Sequence, residues 1–229
     1  MILRYLFAEG MSWGDKILMM VFSLCAVLFT LTVHETAHGL MAYWMGDRTA
    51  KNAGRLSLNP LRHLDIIGTV ALLLFGFGWA KPVPVDPRNF KRIRLGMVLV
   101  AVAGPLSNFI IAFLGIQIYV LATVFGGAYG IWGYVGLFFY ALAIVSTGLG
   151  IFNLIPIPPL DGSKILGEAL PLKWRFKYYS LQRYSRIIFL VFIILSDRLD
   201  FISRAVSWVT GSFQYISLLL IKLVLTALM

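Results

Sequence analysis

The chain has little of what most soluble enzymes use. One cysteine, Cys25, occurs in 229 residues, which excludes an intrachain disulfide and a cysteine-based zinc site. Acids are scarce, ten Asp and Glu against twenty Lys and Arg, and there are three histidines. No internal repeat or low-complexity segment stands out. A transporter that binds its cargo at the bilayer midplane usually carries such a repeat.

What the chain has is apolar length. Hydrophobic residues make up 59% of it, and several runs approach or exceed the ~20 residues needed to cross a bilayer. The expected fold class is an all-α polytopic membrane protein of about four to six transmembrane helices, with a short re-entrant β or loop element. We expect one membrane-embedded domain over residues 1–229, with its core at about 16–170 and C-terminal helices at about 183–229. The first apolar run is too long, and too acidic at its start, for a cleaved signal peptide. A net charge of +10 would suggest a nucleic-acid partner in a soluble protein. Here it fits basic loops held on the cytoplasmic side, and no nucleic acid is expected.

Two of the three histidines lie in one stretch, His34-Glu35-x-x-His38, within an apolar run that ends at Gly46. Residues four apart share a helix face, so both imidazoles can point at one cation. Glu35 projects about 100° round from His34 and about 60° from His38. It can stand beside the metal without ligating it, the arrangement of a zinc hydrolase. Ionisable groups at membrane depth are costly and by default functional, and no Lys or Arg is close in sequence to pair Glu35.

In chain order, Ser12 and Asp15 form a capping box before a first helix over about 16–45. A basic loop follows at 47–65, with His63 a loop or interface histidine. The run 66–80 is marginal for a span and has basic residues on both sides. If both flanks are cytoplasmic, it enters the membrane and returns. Gly76 and Gly78 permit close backbone approach, and Pro82 and Pro84 suit a strand edge. A second span covers about 95–125, where Gly104-Pro105 is expected to kink the helix. Asn108, polar at depth, is expected to bond across helices as support for the site. A third span covers about 134–155. Next comes Asn153-x-x-Pro156-x-Pro158-Pro159-x-Asp161-Gly162, whose prolines cannot continue a helix. Asp161 is expected in a loop and is the best third metal ligand among the acids; an N-cap for a helix from Gly162 is the other reading. Residues 164–187 are basic, and one or two further spans follow.

These stretches together resemble the site-2 protease family of intramembrane zinc metalloproteases. The likeness rests on His34-Glu35-x-x-His38, Gly104-Pro105-x-x-Asn108 and Asn153-x-x-Pro156-x-Pro158-x-x-Asp161-Gly162. Arg55-x-x-x-Asn59-Pro60 and Gly78-Trp79-x-Lys81-Pro82-x-Pro84 resemble the compact prokaryotic members, which lack a PDZ or CBS module. The resemblance implies one zinc per chain on His34, His38 and Asp161, with Glu35 as general base. It implies that Asn153 contacts the substrate backbone and that a re-entrant β element near Gly76 and Gly78 receives substrate. The implied activity is hydrolysis of single-span membrane-protein substrates within or near the bilayer of a prokaryotic cell, with the site facing the cytoplasm. A membrane metal-transport protein and a catalytically inactive substrate-binding homologue are the alternatives.

Overall fold

A computed structural model describes residues 9–75, 78–127, 130–196 and 201–228. Helices are α1 (Trp13–Trp44), α2 (Thr49–Asn52), α3 (Ile66–Phe75), α4 (Ile93–Gly126), α5 (Gly130–Leu154), α6 (Asp161–Ala169), α7 (Leu172–Ser180), α8 (Ser185–Ser196) and α9 (Phe201–Leu228). Four of them, α1, α4, α5 and α9, are long and apolar enough to cross a membrane. The protein is an all-α polytopic membrane protein. Among the described residues there is no β-strand, and the expected β element amounts to one antiparallel bridge, Leu64 with Ala80.

Local chemistry sets the ends of α1. The Ser12 hydroxyl accepts the Asp15 N–H and caps the first turn. Gly46, with φ of 111°, turns the chain where an L side chain would be strained. α4 runs unbroken for 34 residues through Pro105. α3 is ten residues long, too short to span, and its exposed Ile66, Ile67 and Val70 form an apolar outer face.

Helices in lipid gain little from burying apolar surface on one another, so close packing and polar contacts hold them. At Gly115 of α4 a methyl group would stand 3.0 Å from the Phe139 carbonyl of α5; only a small residue permits that approach. Thr30 of α1 and Ser146 of α5 share a buried hydrogen bond of 2.8 Å. Ser217 of α9 donates to Gln117 of α4 at 3.0 Å. Cys25 is exposed on α1.

Outside the spans, Asp47 is the organiser. Its buried carboxylate accepts from Thr49 N–H (3.0 Å), Thr49 Oγ1 (2.5 Å), Asp86 N–H (2.7 Å) and Asn89 Nδ2 (2.8 Å). Burial pushes its pKa up, but these hydrogen bonds outweigh that and hold it below the ordinary carboxylate value. The segment 81–89 is thereby tied to the end of α1.

Candidate metal centre

α1 carries His34 and His38 one turn apart, and both are buried. Their Nε2 atoms lie 3.0 Å from each other. Asp161 Oδ2 lies 3.2 Å from His34 Nε2 and 3.0 Å from His38 Nε2. Among the described residues this is the one cluster of metal-ligating side chains. Ligand atoms about 2.0–2.1 Å from a tetrahedral zinc stand about 3.3 Å apart, so the triangle fits the ion nearly as it is. Two imidazoles and a carboxylate are also the donor set of an open catalytic site rather than a closed structural one.

The far side of each imidazole is held by α4. His38 Nδ1 is 2.6 Å from the Val100 carbonyl. A carbonyl only accepts, so Nδ1 carries the proton and Nε2 presents its lone pair to the cluster. His34 Nδ1 lies 3.1 Å from Asn108 Nδ2, while Asn108 Oδ1 is buried without a partner. When His34 Nε2 takes a metal, Nδ1 carries the proton and needs an acceptor. A half-turn of the Asn108 amide brings Oδ1 onto it. Gly104 lets α4 approach: a methyl there would fall 2.6 Å from His34 Cε1 and collide with the His38 ring.

Asp161 is the first residue of α6, with Leu160 as its N-cap, and so belongs to a helix rather than the expected loop. The prolines end α5 and deliver the chain to a new helix start, where a carboxylate favours the exposed N–H groups. Its second oxygen, Oδ1, takes a salt bridge of 3.0 Å from Lys164 one turn on, a pairing the sequence reading missed although the i, i+3 spacing shows it.

Glu35 is half-buried beside the cluster. Its Oε2 accepts the Val83 N–H at 3.0 Å. Val83 belongs to an extended segment that also packs on Gly39, where a Cβ would lie 3.2 Å from Val83 Cγ1. The Arg55 guanidinium donates to the Lys81 carbonyl and, at 3.4 Å, to that of Pro82. The Lys81 N–H donates to the His63 carbonyl at 2.8 Å. His63 is a buried loop histidine whose ring bonds the Ser57 carbonyl at 2.7 Å. Backbone partners of this kind leave no sequence pattern.

Asn153 lies in the last turn of α5, where its Nδ2 donates to the Leu149 carbonyl at 3.0 Å. Gly78 precedes the Leu64–Ala80 bridge by two residues. Gly76 lies outside the described residues.

The sequence model of peptidase family M50 matches residues 124–196, a stretch that holds Asn153 and Asp161. YwhC of Bacillus subtilis, named as a candidate zinc metalloprotease, is 43% identical over 178 residues, 77% of this chain and 81% of that protein. A protein of Methanocaldococcus jannaschii with a name of the same kind is 30% identical over 152 residues, 66% of this chain and 72% of its own. Rip2 of Mycolicibacterium smegmatis, likewise named, is 26% identical over 144 residues, 59% of this chain and 52% of its own. No solved structure matches the chain.

Proposed function

Because the chain belongs to peptidase family M50, we propose that it is a zinc endopeptidase that cuts single-span membrane proteins within or near their membrane segments. The observation that carries this reading is the buried triangle of His34, His38 and Asp161 with Glu35 beside it. These three residues would hold one zinc per chain. When bound, zinc supplies Lewis-acid activation of the scissile carbonyl and of a water molecule, lowering that water's pKa toward about 7.

The remaining steps fall to the chain's own groups. Glu35 takes the proton of the attacking water and hands it to the leaving amine, a transfer worth about 10²–10⁴ in rate. The Val83 N–H holds one carboxylate oxygen of Glu35 and so sets the direction of the other. Lys164 balances the outer oxygen of Asp161. α4, through Val100 and Asn108, fixes both imidazoles.

A helical substrate shields its carbonyls in its own hydrogen bonds, so it must unwind before cleavage. In the segment following Gly78, the donors already face inward: Lys81 N–H to His63 and Val83 N–H to Glu35. Pro82 and Pro84 have no N–H. An unwound substrate adding along the outer edge would therefore meet carbonyl acceptors, notably that of Pro84, and supply the donors itself. With Nδ2 engaged by Leu149, Asn153 would receive a substrate N–H at Oδ1. Basic residues in 48–62, 81–94 and 164–186 support placing this side toward the cytoplasm of a prokaryotic cell membrane. A metal transporter would need ligands spread over a path, whereas the ligating groups here gather at one point.

The test is cleavage of a panel of single-span substrates by the wild type and Glu35→Gln. Loss of cleavage by at least about a hundredfold with zinc retained supports the reading. Equal cleavage by the two proteins refutes the assigned base.

A further inference from the structure

The short helix α7 has two faces of different chemistry. Its inner face braces the Asp161 region. The Tyr178 hydroxyl donates to the Pro156 carbonyl at 3.0 Å. Arg175 donates to the carbonyls of Gly167 (3.1 Å) and Glu168 (3.0 Å) and pairs with the Glu168 carboxylate at 3.3 Å. Tyr179 donates to Glu168 Oε1 at 2.8 Å. Pro156 lies just before Asp161 and Glu168 lies seven residues after it, so α7 grips the chain on both sides of the third ligand. Burial and the neighbouring Glu168 push the Tyr179 hydroxyl up to about 12, so it stays a donor.

The outer face is aromatic and basic. Leu172, Trp174, Phe176, Leu181 and Tyr184 are exposed, from 43% to 74%. Lys173, Lys177 and Arg183 are exposed with them. No Asp or Glu occurs from 169 to 196, and among the described residues no salt bridge reaches these three cations. Glu168, which precedes this stretch in sequence, is spent inward on Arg175 and Tyr179. The Tyr178 contact ties α7 to the C-terminal end of α5: Pro156 lies two residues past that helix, which is long and apolar enough to cross a membrane, and the end of a span is where a bilayer surface is expected. Aromatic rings suit that level, and uncompensated cations there favour anionic headgroups over zwitterionic ones.

We infer that α7 and the turn after it, residues 172–184, dock on anionic phospholipid of the surrounding leaflet, and that this docking tightens the hold of Asp161 on the metal centre. The lipid closes the outer face, the inner face then grips Pro156 and Glu168, and the start of α6 is held in place. The coupling to metal rests on the metal-centre reading; the docking does not. An anionic leaflet would then serve as a cofactor-like condition for a fully assembled site.

The experiment places the full chain in bilayers of phosphatidylcholine alone or mixed with phosphatidylglycerol, as wild type and as the triple variant Lys173→Gln, Lys177→Gln, Arg183→Gln. Hydrogen exchange of amides in 161–184 is read first and needs neither zinc nor substrate. Wild type is expected to exchange more slowly in the anionic bilayer, and the triple variant equally in both. Zinc release to a chelator is read second, with release from the wild type expected to be about tenfold slower in the anionic bilayer. Exchange that ignores phosphatidylglycerol, or a lipid effect retained in the triple variant, overturns the docking. Lipid-dependent exchange with unchanged zinc release overturns the coupling. A chain that binds no zinc but still shows the exchange effect would refute the metal-centre reading and leave the docking standing.

Discussion

The support that Asn108 gives to His34 can be tested apart from catalysis. Asn108 is fully buried, and His34 Nδ1 faces its amide at 3.1 Å. Asn108→Leu keeps similar bulk but removes the acceptor that a metal-bound imidazole needs. A buried donor left unpaired costs about 1–3 kcal/mol, which converts to about a 5- to 150-fold loss of zinc affinity. That agrees with the about 10–100-fold typical of groups behind metal-ligating histidines. Asn108→Asp retains an acceptor and is expected to hold zinc at least as tightly as the wild type. Competition against a chelator of known affinity measures both, with circular dichroism to confirm that the helices are intact. A folded Asn108→Leu protein with wild-type zinc affinity would refute the reasoning, because the amide would then not bear on His34.

Gly104→Ala places a methyl against both imidazoles and should cost about 1–3 kcal/mol of overpacking, read as weakened zinc binding in the same competition. Gly78→Val and Asn153→Leu are expected to slow cleavage of several substrates at unchanged zinc content; normal cleavage in both would rule out strand capture at this place. The Asp47 carboxyl has a depressed pKa in the folded chain. Its stabilising effect is therefore present above the unfolded value of about 3.9 and is lost as pH falls through the folded one. Thermal unfolding against pH should show an acid-side loss that Asp47→Ala lacks. That variant should also be destabilised at neutral pH by about 2–3 kcal/mol through its broken hydrogen bonds.

How much of this could be read from the sequence depended on how local each feature is. His34, Glu35 and His38 lie within five residues, and helical geometry alone aims the imidazoles together. Asp161 stood out because prolines break a span just before it. The same prolines suggested a loop, yet the chain re-enters a helix at Asp161 itself, since prolines ahead of a helix start cost nothing. The pairing of Asn108 with His34 spans 74 residues, and only the packing of α4 on α1 creates it. The hold on Glu35 comes from a backbone N–H, and backbone groups carry no sequence signal. The glycine and proline pattern after residue 75 suggests a β element, but pairing there is limited to a single bridge among the described residues, and Gly76 lies outside them. Asn153 turns its amide onto its own helix at Leu149, an i−4 bond open to any such side chain.

The central claim, a catalytic zinc on His34, His38 and Asp161, is tested most directly by metal content measured alongside cleavage. Purified protein is assayed with a single-span substrate before chelation, after chelation and after zinc is restored. One zinc per chain is expected, with loss of metal and cleavage together on chelation, recovery of both with zinc, and neither in the His34→Ala and Asp161→Ala variants. Cleavage that survives removal of zinc, or zinc content unchanged in those variants, would contradict it.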